Sequence, residues 1–366
     1  MRCIFFGTPE FALPTLRALQ ASPHDVCLLV TQPDRPRGRG RQVQPPPVKR
    51  CAQELGLPVL QPRRASEPSL LERLGACGAD AIVVVAYGQL LPEALLGLCP
   101  HGCINLHPSL LPRYRGAAPI STAILRGDAV TGVTTMVLDA GLDSGDLLLQ
   151  EEVAIAPDDT AASLHDRLAE VGARLMVTTL TDLERGALQP RRQDDAKAIL
   201  TRKLRKEDGR LDWCRPAVEL ERQIRAYHPW PGAFTEHGGE RLRVLRARVD
   251  AAARPGGARD VAGRVAAIDE EGIALQTGRS LLVLLEVQPA NKSAMSAAAY
   301  LRGRSLRVGE VFGGPRGEGA EAPRESAASV TAAPPAQGAA AAATSPPPTP
   351  GAGERDGRRI GRREAP

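Results

Sequence analysis

An amide and an imidazole two residues apart on a strand can act together on a carbonyl group. Asn105 and His107 stand so in Cys103-Ile104-Asn105-Leu106-His107-Pro108. Side chains two apart on a strand share a face, so Ile104 and Leu106 take the other. Pro108 ends the strand because it has no N–H to give a ladder. Open α/β sheets bind ligands at the carboxyl ends of their strands. There an amide N–H can face negative charge developing on an oxygen, and an imidazole can carry a proton. Read blandly, the pair are satisfied polar groups near a strand end. The turn Ser109-Leu110-Leu111-Pro112 and the run Arg113-Tyr114-Arg115-Gly116 that follow favour a site.

A carboxylate is expected beside them. Asp139, Asp143 and Asp146 lie in a Gly-containing loop after the β-branched run Val133-Thr134-Thr135-Met136-Val137, which reads as a strand. Asp and Gly favour turns, so all three acids could be plain turn formers. Asp143, between Leu142 and Ser144-Gly145, is the one expected next to His107.

These stretches resemble the folate-dependent formyltransferase family. The resemblance is carried by Asn105-x-His107, Ser109 to Pro112 and Leu142-Asp143-Ser144-Gly145. It extends from Met1 to about Phe312 through Phe6-Gly7-Thr8-Pro9-Glu10-Phe11, Thr31 to Pro36, Val84-Val85-Ala86-Tyr87-Gly88, Arg115 to Ile120 and Pro229-Trp230-Pro231-Gly232. It implies transfer of a formyl group from N10-formyltetrahydrofolate, a cosubstrate, to the α-amino group of methionyl initiator tRNA, with no metal. Asn105, His107 and Asp143 would then be catalytic. Ser109, Leu110, Leu111 and Pro112 would shape a folate pocket, with Tyr87, Gly88 and Leu90 lining it. No covalent intermediate is required, and Ser109 is a poor nucleophile candidate.

The segment from Gln32 to Arg50 carries Arg35, Arg37, Arg39, Arg41, Lys49 and Arg50 against one acid, Asp34. Gly38 and Gly40 make it flexible, and Pro45-Pro46-Pro47 stiffens its exit. Such a cluster is either a solvated loop or an electrostatic footprint for phosphates. The resemblance implies the second: Arg37, Arg39 and Arg41 at the acceptor end of the tRNA, with Arg39 in direct contact. Lys203, Arg205 and Lys206 are assigned to the same partner.

The elements that must hold this site read as an alternation of strands and helices. Arg2 to Phe6 and Val26 to Thr31 are strands, and Ala81 to Ala86 is a continuous apolar strand of the kind parallel sheets bury. A helix is expected to about Ala21, and another from Thr160 to Gly186 with Leu164, Leu168, Val171, Leu175, Leu180 and Leu183 at helical spacing. The expected fold is a Rossmann-like, doubly wound α/β sheet. The opening lacks Gly-x-Gly-x-x-Gly, which disfavours a dinucleotide. After Leu188 comes a polar stretch, a helix from about Ala217 to Tyr227, and short alternating strands from Arg241 to Glu286. The resemblance implies an OB-like β-barrel, a class that binds single-stranded nucleic acid. The domains are therefore expected as a catalytic domain over 1–188, a linker over 189–205, an OB-like tRNA-binding domain over 206–312 and a disordered tail over 313–366. The tail is Ala-, Pro- and Gly-rich, with Val330 and Ile360 its only large apolar residues.

Bulk properties agree with a soluble enzyme that meets a polyanion. The 366 residues are 43% hydrophobic with net charge +5, suited to two domains and an anionic partner. Seven scattered cysteines without Cys-x-x-Cys suggest reduced thiols in a cytoplasm. No signal peptide, import leader or membrane span is expected. A monomer without a protein partner is the expected state. The nearest rivals are formyl transfer to an amino sugar nucleotide and hydrolysis of formyl-folate. A nicotinamide-dependent oxidoreductase or a non-catalytic tRNA-binding protein is more remote.

Overall fold

The computed structural model describes residues 1–37, 40, 42–250, 261–304 and 306–313, and of Arg37 the backbone alone. Arg39, Arg41 and the tail beyond Gly313 lie outside the described residues. In chain order the first half runs β1 (Arg2–Gly7), α1 (Leu13–Gln20), β2 (Asp25–Val30), β3 (Arg35–Arg37), β4 (Gln42–Gln44), α2 (Pro47–Glu54), β5 (Val59–Leu60), α3 (Pro68–Gly75), β6 (Ala81–Val85), α4 (Glu93–Leu96), β7 (Cys103–His107), β8 (Arg115–Gly116), α5 (Pro119–Arg126), β9 (Val130–Val137), β10 (Leu147–Ala154) and α6 (Ala161–Glu184).

Seven of these strands form one sheet in the order β10-β9-β7-β6-β1-β2-β5. The five from β7 to β5 are parallel, whereas β9 and β10 are antiparallel to their neighbours. Alternating side chains feed two cores. Cys3 and Phe5 of β1 join Leu16 of α1 and Leu168 of α6 on one face; Ile4 and Phe6 join Leu74 of α3 and Leu95 of α4 on the other. A strand buried on both faces needs an unbroken apolar run, as Ala81–Val85 supplies. Thr160 caps α6 in a reciprocal pair with Ser163. Gly172 lets α6 lie close on the sheet, since a Cβ there would stand 2.6 Å from Leu106 of β7.

The described parts of the basic segment are built into regular elements. Arg35–Arg37 pairs antiparallel with Gln42–Gln44, and Lys49 and Arg50 lie on α2. Lys49 is engaged by Asp34 at 2.8 Å, so its charge is spent within the fold.

The second half comprises β11 (Leu200–Thr201), α7 (Ala217–Ala226), β12 (Phe234–His237), β13 (Glu240–Asp250), β14 (Val265–Ile268), β15 (Ile273–Gln276), β16 (Leu281–Pro289), β17 (Met295–Ser296) and α8 (Ala297–Arg302). A curled antiparallel sheet takes the order β12-β13-β16-β15-β14, with β17 on β16. Residues 310–313 close the curl by bonding both edges. The Val265 N–H donates to the Glu310 carbonyl and the Phe312 N–H to that of Gly263, while the Gly313 N–H reaches Glu236 on β12. Trp213, Leu242, Val244, Leu282, Leu284 and Phe312 fill the interior.

One helix serves both halves. Ala217, Leu220 and Ile224 of α7 belong to the second core, while Ala226 and the following Tyr227 belong to the first. The Arg222 guanidinium covers Gly127, and Arg225 donates to the Asp159 carbonyl at 2.9 Å. Met1–Pro315 is accordingly one compact unit. No helix among the described residues is long and apolar enough to cross a membrane.

Candidate active site

Asn105 and His107 share a face of β7 with Cys103, while Ile104 and Leu106 enter the opposite core. The Nδ1 of His107 lies 3.7 Å from Oδ2 of Asp143. Asp143 thus stands next to His107, as expected, but the strand that precedes it does not deliver it directly. β9 runs antiparallel to β7, with Val137 opposite Ile104 and Thr134 opposite His107. The chain thus leaves β9 at the far end from His107, and the 138–146 loop folds back along β7 to deliver the carboxylate.

The loop geometry separates its acids. Asp139 builds the turn, accepting from the Gly141 N–H at 3.0 Å and the Ser144 hydroxyl at 2.9 Å. Asp143 faces the imidazole and accepts the Gly116 N–H at 2.8 Å. Gly145 is tightly packed, since a Cβ there would fall 1.9 Å from the Val137 carbonyl oxygen.

His107 is buried, and its Nε2 sits 3.0 Å from the Tyr114 carbonyl. A carbonyl only accepts, so Nε2 carries the proton and a neutral ring leaves its lone pair at Nδ1. Burial holds the imidazole below its ordinary pKa, against the opposing pull of Asp143 and of the Tyr114 carbonyl. Three non-glycine residues with left-handed backbone cluster here: Ala86 after β6 (φ +48°), Tyr114 (φ +64°) and Asp143 (φ +49°). Such conformations cost on the order of 1–3 kcal/mol each and gather where a site must be pre-set.

The turn after β7 is built from inside. Ser109 is buried and its hydroxyl donates to the Arg113 carbonyl at 2.6 Å, which leaves it a structural part. Leu111 is buried with Met136 and Leu147, and Leu110 packs over Gly132. The Pro112 carbonyl accepts from the Ile199 N–H at 3.3 Å. Leu90, at 86% exposed, and Leu142 offer apolar surface, and Gly88 adopts φ +86°. Tyr87 sits otherwise. Its ring is buried edge-on against Phe6 at 5.0 Å, burial pushes its hydroxyl up to about 12, and its carbonyl is taken by Thr8 and Gln32. The ring serves the core on the face of the sheet that Phe6 and Val84 also enter. Lys203, Arg205 and Lys206 are exposed at the entrance to the second half.

Sequence reasoning passes over Tyr114, Gly116 and Gln193, which hold His107 and Asp143 in place. Tyr114 and Gly116 lie in the Arg113–Gly116 run that draws notice as a whole, and their contribution is from the backbone. Gln193 has no periodic or motif signal.

An imidazole with its lone pair at Nδ1, a carboxylate on that same side and a nearby amide suit a transferase that acts on a carbonyl carbon. Comparison with known proteins agrees. Residues 1–180 match Formyl transferase and residues 203–305 match Formyl transferase, C-terminal domain. A methionyl-tRNA formyltransferase of Heliobacterium modesticaldum is 46% identical over 317 residues, covering 86% of this chain and 100% of the relative. One of Trichlorobacter lovleyi is 45% identical over 311 residues, covering 85% and 96%. The crystal structure of WlaRD, a sugar 3N-formyl transferase, shares the fold with a TM-score of 0.57 at 15% identity, over 80% of this chain and 98% of that one. The chain belongs to the formyl transferase family.

Proposed function

We propose that the chain transfers the formyl group of N10-formyltetrahydrofolate to the α-amino group of methionyl initiator tRNA, giving N-formylmethionyl-tRNA for translation initiation. The full-length similarity to methionyl-tRNA formyltransferases supports this acceptor. The observation that carries the chemistry is the approach of Asp143 to His107 at 3.7 Å beside Asn105. Among the described residues the Asn105 side chain has no hydrogen-bond partner, so its amide is available to a reacting group.

The folate, when bound, supplies a formyl carbon on a nitrogen that can leave. Gly88, exposed Leu90 and the turn Ser109 to Pro112 suit a flat, partly apolar ligand at this edge; a Cβ at Gly88 would find nothing nearer than 3.6 Å. Asn105 presents N–H to the carbonyl oxygen as charge gathers there. His107 accepts the amine proton at Nδ1 and returns it to the departing nitrogen. Asp143 stabilises the imidazolium in between. Arg37, Arg39 and Arg41, with Lys203, Arg205 and Lys206, hold tRNA phosphates. On this reading the enzyme acts in the cytoplasm as a monomer.

The test offers formyl-folate with methionyl-tRNA, free methionine or an amino sugar nucleotide. Formylation of methionyl-tRNA alone is expected. Formylation of the sugar nucleotide in its place overturns the acceptor assignment.

A further inference from the structure

We infer that Gln193, on the stretch joining the two halves, is the positioning residue that sets Asp143 against His107. This rests on the catalytic reading of that pair. Gln193 is 5% exposed. Its side-chain nitrogen donates to the Asp143 carbonyl at 2.8 Å and to the Gly145 carbonyl at 2.7 Å. Its Oε1 accepts from Arg115 Nε at 3.0 Å, and Arg115 is itself fixed on Asp195 at 2.8 Å.

The chemistry fixes the orientation of the amide. A guanidinium only donates, so the oxygen must face Arg115 and the NH2 must face the loop. Both amide hydrogens are then used, each on a carbonyl flanking Ser144. Asp143 is in a left-handed conformation, which Asp tolerates better than most side chains but at a cost, and two bonds from a buried group oppose its relaxation.

The same stretch braces the carboxylate from its other side. Arg191 exchanges backbone bonds with Leu147 at 2.8 Å each way, just past the loop. Farther on, β11 pairs in parallel with β8, and the Thr201 hydroxyl donates to the Arg115 carbonyl at 3.0 Å. The next residue, Gly116, supplies the N–H that Asp143 Oδ2 accepts. Residues 191–201 therefore hold both the main chain and the side chain of Asp143. A plain spacer between domains would need neither attachment.

Gln193→Met in the full chain keeps volume and removes the three hydrogen bonds. The expected result is a kcat lower by about 10- to 100-fold, the scale of a misplaced catalytic group. KM for methionyl-tRNA and for formyl-folate should stay unchanged, with the circular dichroism spectrum retained. In an Asp143→Asn background the same substitution should add no further loss, because it acts through that carboxylate. Wild-type kcat in Gln193→Met, or a loss that multiplies with that of Asp143→Asn, overturns the inference. Wild-type kcat in Asp143→Asn alone would instead sink the catalytic reading on which it rests. Should Gln193→Met not fold, Gln193→Glu decides the same question, since it keeps the Arg115 contact and removes both donors to the loop.

Discussion

Tyr114 fixes the tautomer of His107 through its main chain. Its carbonyl accepts a hydrogen bond from Nε2 at 3.0 Å. The backbone that presents this carbonyl is left-handed and anchored at its side chain: the hydroxyl is held on Asp128, and Arg113 and Arg126 approach the ring at 5.1 and 5.8 Å from its centroid. The Nδ1 lone pair is thereby aimed at the space before Asp143, where a proton must be received.

Altering any of the three side chains proposed as catalytic should abolish most of the rate. Asn105→Ala, His107→Ala and Asp143→Asn are each expected to lower kcat by about 10²- to 10⁴-fold. Single-turnover formylation checks this, with melting temperature as the control. Near wild-type turnover in His107→Ala would remove the mechanism.

Burial of His107 gives the pH dependence a definite direction. The base form is needed, and the folded pKa lies below the ordinary 6.5, so the acidic limb of kcat/KM should fall below that value. Just under pH 6.5 the unfolded chain binds a proton that the folded one refuses, so stability should drop as pH falls through it. His24, held low by burial and the N-terminal ammonium, contributes in the same sense. Comparing melting temperatures at about pH 7.5 and 5.5 for wild type and His107→Gln isolates the first contribution. An equal drop in both proteins would contradict it.

Arg39→Ala should weaken use of methionyl-tRNA and flatten its salt dependence. The log–log slope should shrink by roughly 0.9 for each duplex phosphate that the variant no longer neutralises. Steady-state rates across a potassium chloride series give the slope. The same slope in both proteins would count against this loop as a phosphate-binding element.

Gly172→Ala tests how closely α6 is set against the catalytic strand. The added methyl would meet Leu106, which lies between Asn105 and His107 on β7. A loss of about 1–3 kcal/mol is expected from overpacking, measured by urea unfolding, with kcat falling alongside. Unchanged stability would mean that Leu106 yields freely.

The parts legible in the sequence are those with a strict local period. Asn105 and His107 stand out because β7 alternates without a break, and α6 because its leucines recur at helical spacing between Thr160 and Gly186. The 138–146 loop does bring Asp143, rather than Asp139, to the imidazole, by a route that spacing does not reveal. Sequence spacing does not say whether the next strand runs parallel or antiparallel. β10 is hard to read because Gln150-Glu151-Glu152 breaks its apolar pattern at a sheet edge. β13 is visible only in part, since register shifts between Val244 and Ala247 disturb its alternation. Gln193 is invisible because its role depends on a loop 50 residues earlier that folds against it.

The seam between the two halves runs through the C-terminal end of α7, where Ile224 faces one interior and Ala226 the other. A chimera that borrows the C-terminal half of a relative therefore imports two side chains that seal the catalytic half. Compatibility at Ala226 and Tyr227 will bear on whether such a hybrid folds, as will keeping residues 191–201 with the half they brace.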